Sequence, residues 1–220
     1  MLEQGPVSCS MTDRIIRTEA CIAEGCAWLA SAEPRFAHAL EISGPPPLRR
    51  REGGFPALLK SVCAQQLSVA AADSVWAKLD AIGAGNPRIL TALSDDELRA
   101  CGLSRPKVRY AREIAGSGLD YAALETMPAD AAIAALTAIK GIGVWTAEIY
   151  LMFSVGRADV FAPGDLALQE STRILFDLPE RPNEKTLRRQ SGAWSPWRGV
   201  AARLLWSYYR HAKSREGISE

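Results

Sequence analysis

The 220-residue sequence predicts an all-α fold. Apolar residues recur at helical spacing along nearly the whole chain. Helix-start and helix-stop signals bracket those stretches, and no stretch alternates apolar and polar residues as a half-buried strand would.

Each element has its own signal. Ile15, Ile22, Cys26 and Leu29 stand 7, 4 and 3 residues apart, which places them on one face of a first helix. Pro45-Pro46-Pro47 and Gly53-Gly54 predict a loop over 41–54. Phe55 to Cys63 and Val69 to Ile82 read as two helices. They are separated by Ala64-Gln65-Gln66-Leu67-Ser68, with Ser68 as N-cap of the second. Ser94-Asp95-Asp96-Glu97 forms a capping box that opens a short helix ending at Gly102. Arg105 to Gly116 follows, with Pro106 in its first turn. Asp130 to Ile139 comes after Pro128. Gly143 to Val155 carries Thr146, Ile149, Tyr150 and Phe153 on one face. Asp165 to Phe176, Asn183 to Ala193 and Trp197 to His211 complete the set, and Pro163-Gly164 marks a sharp turn before the first of these three.

The expected organisation has five parts. Residues 1–12 form a flexible N-terminus. Residues 13–54 form an N-terminal helix and Pro/Gly-rich loop that pack with the C-terminal helices. Residues 55–135 form a central helical lobe. Residues 136–213 contain a helical hairpin, an aspartate loop and the C-terminal helices. Residues 214–220 form a flexible tail.

Apolar residues make up 48% of the chain and charged residues 23%, a balance that suits a soluble protein with a sizeable core. No window reaches the ~18 uninterrupted apolar residues of a membrane helix, and the N-terminus lacks a secretory signal. The expected location is cytoplasmic, on the nucleoid if the cell is bacterial. Cys9, Cys21, Cys26, Cys63 and Cys101 are irregularly spaced and form no CxxC pair, so neither a zinc nor an iron–sulfur site is expected. Reduced, mostly buried thiols are expected instead.

Net charge is only +1, but it is unevenly distributed. Residues 1–41 hold six acids and three bases, whereas residues 181–215 hold nine bases and one acid, Glu184. Residues 99–112 hold five bases and no acid. This asymmetry fits a polyanion approaching one face, and a solvated surface with a basic tail fits the same counts.

The most informative segment is Lys140-Gly141-Ile142-Gly143-Val144-Trp145-Thr146-Ala147, a helix end, a Gly-Ile-Gly turn and a new helix. The two glycines allow positive φ and close approach of another backbone. The amides opening the second helix make an anion site suited to a phosphate. About twenty residues on, Asp165 follows Pro163-Gly164 at the mouth of a helix. Aspartate is among the commonest N-caps, so position alone fits a cap as well as a catalytic group, and the two roles can coexist.

The hairpin 140–147, the Pro163-Gly164-Asp165 turn and Gln65-Gln66-Leu67-Ser68-Val69-Ala70-Ala71-Ala72 together resemble the HhH-GPD superfamily of DNA glycosylases. Within it the chain is most similar to the DNA-3-methyladenine glycosylase II branch, which the tail Trp194-Ser195-Pro196-Trp197-Arg198 and Leu204-Leu205-Trp206 also match. The similarity covers 55–211. It implies a two-lobed helical fold with a helix-hairpin-helix and a DNA-binding cleft between lobes. Trp145 stands where bifunctional members carry a nucleophilic lysine, and no cysteine follows Cys101 to hold the iron–sulfur cluster of other branches. The resemblance therefore implies a monofunctional hydrolase of N-glycosyl bonds, acting in base excision repair on alkylated purines of the 3-methyladenine and 7-methylguanine type.

The resemblance also assigns roles. Asp165 is the catalytic carboxylate. Trp145 and Trp206 line the base pocket, with Tyr150 and Trp197 as further aromatic residues, while Ile149 and Ser207 replace aromatics expected there. Gln66 is the residue that wedges into DNA, although Gln65 and Gln66 could equally satisfy backbone groups at the helix break. Lys140, Gly141, Gly143, Thr146 and Lys107 bind the DNA backbone, joined by Arg109, Arg198 and Arg203. Trp28 and Trp76 pack in the core. No cofactor is required, though hairpin carbonyls can hold a monovalent cation. The implied partner is damaged double-stranded DNA, with no membrane, bound by a monomer. A uracil or thymine mismatch glycosylase on the same scaffold, or a non-catalytic hairpin module that only grips DNA, are the competing readings.

Overall fold

A computed structural model describes residues 14–215. The expected flexible N-terminus (1–12), Cys9 and the tail beyond 215 lie outside the described residues. Among the described residues there are twelve α-helices and no β-strand. The first six are α1 (Glu19–Ala32), α2 (Pro34–Ser43), α3 (Gly54–Ala64), α4 (Val69–Ala81), α5 (Pro87–Ala92) and α6 (Asp95–Ala100). The others are α7 (Arg105–Gly116), α8 (Ala129–Thr137), α9 (Val144–Tyr150), α10 (Leu166–Leu175), α11 (Glu184–Gln190) and α12 (Arg198–Arg215).

Most boundaries follow from local chemistry. The Ser68 hydroxyl accepts from the Ala71 amide and caps α4. Ser94 and Glu97 complete the expected capping box on α6, and Asn183 caps α11. Two helices escape the periodicity argument. In α2, Pro34 sits in the first turn and the Glu33 side chain caps the Arg35 amide. In α5 the Asn86 side chain does the same for Arg88 over only six residues. The helix expected over 143–155 is α9 only as far as Tyr150, and Leu151–Val155 widens into a fully buried π-helical turn. Residues 214 and 215 extend α12 rather than opening the tail.

The chain divides into two compact units, 14–49 with 156–215, and 50–155. The hairpin therefore belongs with the central helices and not with the C-terminal ones, because α9 packs on α3 and α8.

In the first unit, α12 packs on α1, α2 and α10. Phe36, Phe161 and Phe176 surround the ring of Trp194, with centroids 5.2, 5.4 and 5.7 Å away. Ile15 does not continue α1. Thr18 holds an extended backbone at the helix start, and Ile15 pairs antiparallel with Arg157. The Ala158 amide reaches Arg14 O at 2.8 Å and the Ile16 amide reaches Gly156 O at 2.7 Å. The buried tryptophans are Trp194 and Trp197. Trp28 and Trp76, expected in the core, are only half-buried because each lies toward the edge of its helix face.

Two arginines expected at DNA serve this unit instead. Asp159, 3% exposed in its side chain, accepts from Arg198 Nε at 2.8 Å and Nη2 at 3.0 Å, and from Ser195 Oγ at 2.7 Å. Arg203 is buried and donates to Gly199 O at 2.7 Å and Leu48 O at 3.3 Å. The Arg203 guanidinium is committed to these two carbonyls inside the protein, whereas Arg198 keeps about a third of its side chain exposed.

In the second unit, α3 packs on α4, α7 and α9, with Leu58, Leu59 and Val62 inaccessible to solvent. The shorter helices α5 and α6 pack on α7. Cys26, Cys63 and Cys101 are buried and reduced, and Cys21 is half-buried.

Asp159→Ala removes a buried carboxylate that accepts from Ser195 and from the half-buried Arg198, and it leaves both donors without that acceptor. We expect a loss of about 2–3 kcal/mol, read as a lower Tm and an earlier urea midpoint than wild type.

Candidate active site

In the first unit, the turn at Ala162-Pro163-Gly164 delivers Asp165 to the start of α10. The Asp165 amide returns to Ala162 O at 3.0 Å. The buried Gln169 side chain donates to Pro163 O at 2.8 Å and holds the turn from below. Asp165 is the N-cap of α10, half-buried, and its Oδ1 accepts from the Ala167 and Leu168 amides, both at 3.0 Å. A third donor comes from another helix: Trp206 Nε1 on α12 lies 3.1 Å from the same oxygen. Ser171, wholly buried on α10, donates to Leu205 O at 2.7 Å and sets the register that brings Trp206 there. The structure thus joins the predicted carboxylate to one of its predicted aromatic neighbours. It makes Asp165 a cap and an oriented carboxylate at once.

The second unit presents the hairpin. Gly141 has φ +97°, and a Cβ there would sit 2.3 Å from the Tyr110 ring, so the turn requires glycine on both counts. Gly143 differs. Its φ is −85°, and a Cβ would meet nothing within 4 Å. Of the two glycines that allow positive φ only Gly141 uses it, and nothing among the described residues requires glycine at 143. The Ile142 amide closes the turn on Ile139 O at 3.0 Å. Gly143 and Lys140 are exposed.

Beside the hairpin runs the link between α3 and α4. Gln65 Nε2 donates to Gly141 O at 3.3 Å and lies 3.4 Å from Thr146 Oγ1. Gln65 thus takes the backbone-satisfying role, and Gln66 does not. Gln66 is exposed and takes φ +58°, a left-handed conformation that costs a non-glycine residue about 1 kcal/mol. Leu67 beside it is 41% exposed. Gln65, Gln66, Trp145, Thr146, Ser61 and Ala64 line a cavity of about 390 Å³. Trp145 is 44% exposed, unusual for an indole that serves only the core.

Other predicted site residues lie elsewhere. Tyr150 is buried and lines a different cavity, with Tyr121 and Arg50. Its hydroxyl accepts from the Gly54 amide at 2.8 Å, and burial pushes the phenol up to about 12. Trp197 is buried, with Arg14 stacked 4.7 Å from its ring centroid. Thr146 is 4% exposed, and its hydroxyl lies 3.4 Å from Gln65 Nε2. Lys107, expected at the DNA backbone, donates to Cys63 O at 2.7 Å and Gln65 O at 2.6 Å. Burial lowers the pKa of this ammonium. Periodicity gives no hint of this use, since the two carbonyls lie 44 and 42 residues away in sequence.

The family model for HhH-GPD superfamily base excision DNA repair proteins matches residues 59–196. DNA-3-methyladenine glycosylase 1 of Schizosaccharomyces pombe is 32% identical over 161 residues, which span 69% of this chain and 71% of the relative. A crystal structure of a DNA-3-methyladenine glycosidase from Bacillus halodurans is similar with a TM-score of 0.75 and 34% identity, covering 88% of this chain and 89% of that one. The S. pombe 3-methyladenine DNA glycosylase in complex with abasic DNA gives a TM-score of 0.74 at 25% identity, covering 90% of this chain and 100% of that one. The all-helical class expected from periodicity is the class of these structures.

The two hairpin glycines should separate fold from ligand. Gly141→Ala drives a Cβ into Tyr110 at an unfavourable φ, and we expect it to lower stability by roughly 2 kcal/mol. Gly143→Ala should leave Tm within a degree or so of wild type, because its Cβ enters open space. Paired thermal melts distinguish the two.

Proposed function

Because the chain belongs to the HhH-GPD superfamily of base excision DNA repair proteins, we propose that it is a DNA glycosylase that releases alkylated purines from double-stranded DNA, with Asp165 as the catalytic carboxylate. The observation that carries the assignment is the convergence of two helix amides and the Trp206 indole N–H on Asp165 Oδ1. The third donor, from a residue 41 positions away in sequence, fixes the carboxylate beyond what the cap alone supplies.

The chemistry follows from the substrate class. A base stacked in duplex DNA is out of reach, so the nucleotide must be extruded, at a cost of a few kcal/mol that is smaller for a damaged pair. Alkylation at N3 or N7 places a formal positive charge on the purine. When the C1′–N bond breaks, its electron pair leaves with the base and neutralises that charge, so no general acid is needed. Positive charge then develops on the sugar as an oxocarbenium-like centre. A carboxylate oriented beneath it stabilises that charge and accepts the proton of the water that adds to C1′. Ordinary glycoside hydrolysis usually needs two carboxylates, but a leaving group that is already cationic needs only one.

Trp206 has two tasks in this reading. Its N–H fixes the carboxylate, and its ring offers a cation–π surface to a positively charged base. In the second unit, the exposed Gln66 fits the wedge that replaces the extruded nucleotide. Exposed Gly143, Lys140 and Arg109 are available to phosphates. Phosphate contacts position without reading sequence and make binding salt-sensitive. Carbonyls of the hairpin would hold a monovalent cation, which would add positive charge for a phosphate.

The direct test is base release from methylated duplex DNA, with the freed bases separated by chromatography. Wild type should release methylated purines, and Asp165→Asn should release none while binding DNA as tightly or more tightly. An active Asp165→Asn overturns the mechanism. Silence from both proteins on methylated DNA, with release from uracil or thymine mismatches, would move the substrate class. Trp206→Phe keeps the ring and deletes the donor, and we expect kcat to fall about tenfold with KM little changed.

A further inference from the structure

The link between α3 and α4 is built more firmly than a four-residue connection requires. A helix commonly ends on a glycine in the left-handed region, which turns the chain without strain. Here that position is Gln66, at φ +58°, and its side chain is exposed. A strained non-glycine residue persists only where its surroundings over-determine it. They do so here. The Gln65 amide bonds Val62 O and the Leu67 amide bonds Ala64 O, both at 3.2 Å. The Gln65 side chain is tied to Gly141 O, and Ser68 caps the following helix.

The remaining tie is Lys107. Its ammonium donates to Cys63 O at 2.7 Å, among the last carbonyls of α3, and to Gln65 O at 2.6 Å, immediately before the strained residue. Both oxygens face the C-terminal end of a helix, where a cation is favoured. The lysine stands on α7, whose Val108, Ala111 and Ile114 are buried, so the ammonium projects from a fixed platform. A cation used in this way is committed to the protein's own backbone.

We propose that Lys107 is a positioning residue for base extrusion, holding the 65–68 link so that Gln66 stands outward, ready to enter the base stack. The inference rests on the glycosylase reading given above. A side chain that must displace a stacked nucleotide works better from a backbone already fixed, because a loose link would lose conformational freedom at every encounter. Lys107 supplies that rigidity without touching the substrate.

The test uses duplex DNA carrying a tetrahydrofuran abasic analogue with 2-aminopurine as the neighbouring base. Insertion unstacks 2-aminopurine and raises its fluorescence without any bond cleavage. Wild type should give a clear rise. Lys107→Met keeps the aliphatic stem and removes the donors, and the rise should fall by about half or more, with kcat for methylpurine release down about tenfold and DNA affinity changed less than about threefold. Lys107→Arg should restore most of both. In a Gln66→Ala background, Lys107→Met should have little further effect, since the lysine acts through Gln66. If Lys107→Met does not fold, Lys107→Gln, which removes the charge and shortens the reach while keeping a polar end, carries the same comparison. The inference is overturned if the Lys107 variant matches wild type. It is equally overturned if the variant weakens binding and lowers the salt slope by about one with insertion intact, because that marks a phosphate contact. A wild-type fluorescence rise without methylpurine release would count against the glycosylase reading and leave the role of Lys107 standing. No rise in wild type would remove the basis for both.

Discussion

One carboxylate oxygen, Asp165 Oδ1, receives two amides from the helix it caps and one indole N–H from α12. The first two bonds are local, since any aspartate at a helix start can make them. The third requires α10 and α12 to lie in one register, and much of the first unit serves that register. Ser171 bonds Leu205 O one residue before Trp206. Gln169 steadies the Pro-Gly turn one residue pair before the carboxylate. The start of α12 is fixed in turn by Asp159, which holds Ser195 and Arg198. The aromatic cluster around Trp194 packs the segment leading into that helix. A carboxylate oriented before substrate arrives needs little reorganisation when positive charge develops above it, and this is where a static arrangement contributes most to a rate.

The second unit follows a different economy. Its polar side chains are directed largely at its own backbone. Lys107, Gln65 and Tyr150 each satisfy main-chain groups at a helix end or turn. Beside them the exposed Gln66 and Leu67, the half-exposed Trp145 and the exposed Gly143 face outward. Holding helix ends with buried side chains keeps the turns rigid while their outer faces remain free for a ligand. Gly143 illustrates the division well. Gly141 is required by Tyr110 beneath it, whereas the space above Gly143 is empty of protein.

The fold class was legible because helical periodicity and capping chemistry are local. The range of α7 and the Ser94 capping box followed from residues a turn apart. The same locality explains the misses. In α2 a proline start and few apolar positions gave no clear stripe, and α5 is too short to show a period. Ile15 kept the helical spacing, yet it pairs with Arg157, a partner no window of sequence could reveal.

By itself the sequence determined most of the helices and the hairpin, because glycine turns, caps and helical spacing act over a few residues, and its family resemblance pointed to Asp165. It also determined the chemistry on offer, a single carboxylate with tryptophans and no thiolate cluster. Only the tertiary structure decided how the charged and aromatic side chains are used. It tied Lys107 and Arg203 to backbone carbonyls and Arg198 to Asp159, buried Tyr150 and Trp197, and set the Trp206 N–H on Asp165. A long flexible side chain of known charge can reach a phosphate or a carbonyl equally well. The choice rests on which partner the packed helices bring within about 3 Å, and that distance is a property of the fold as a whole.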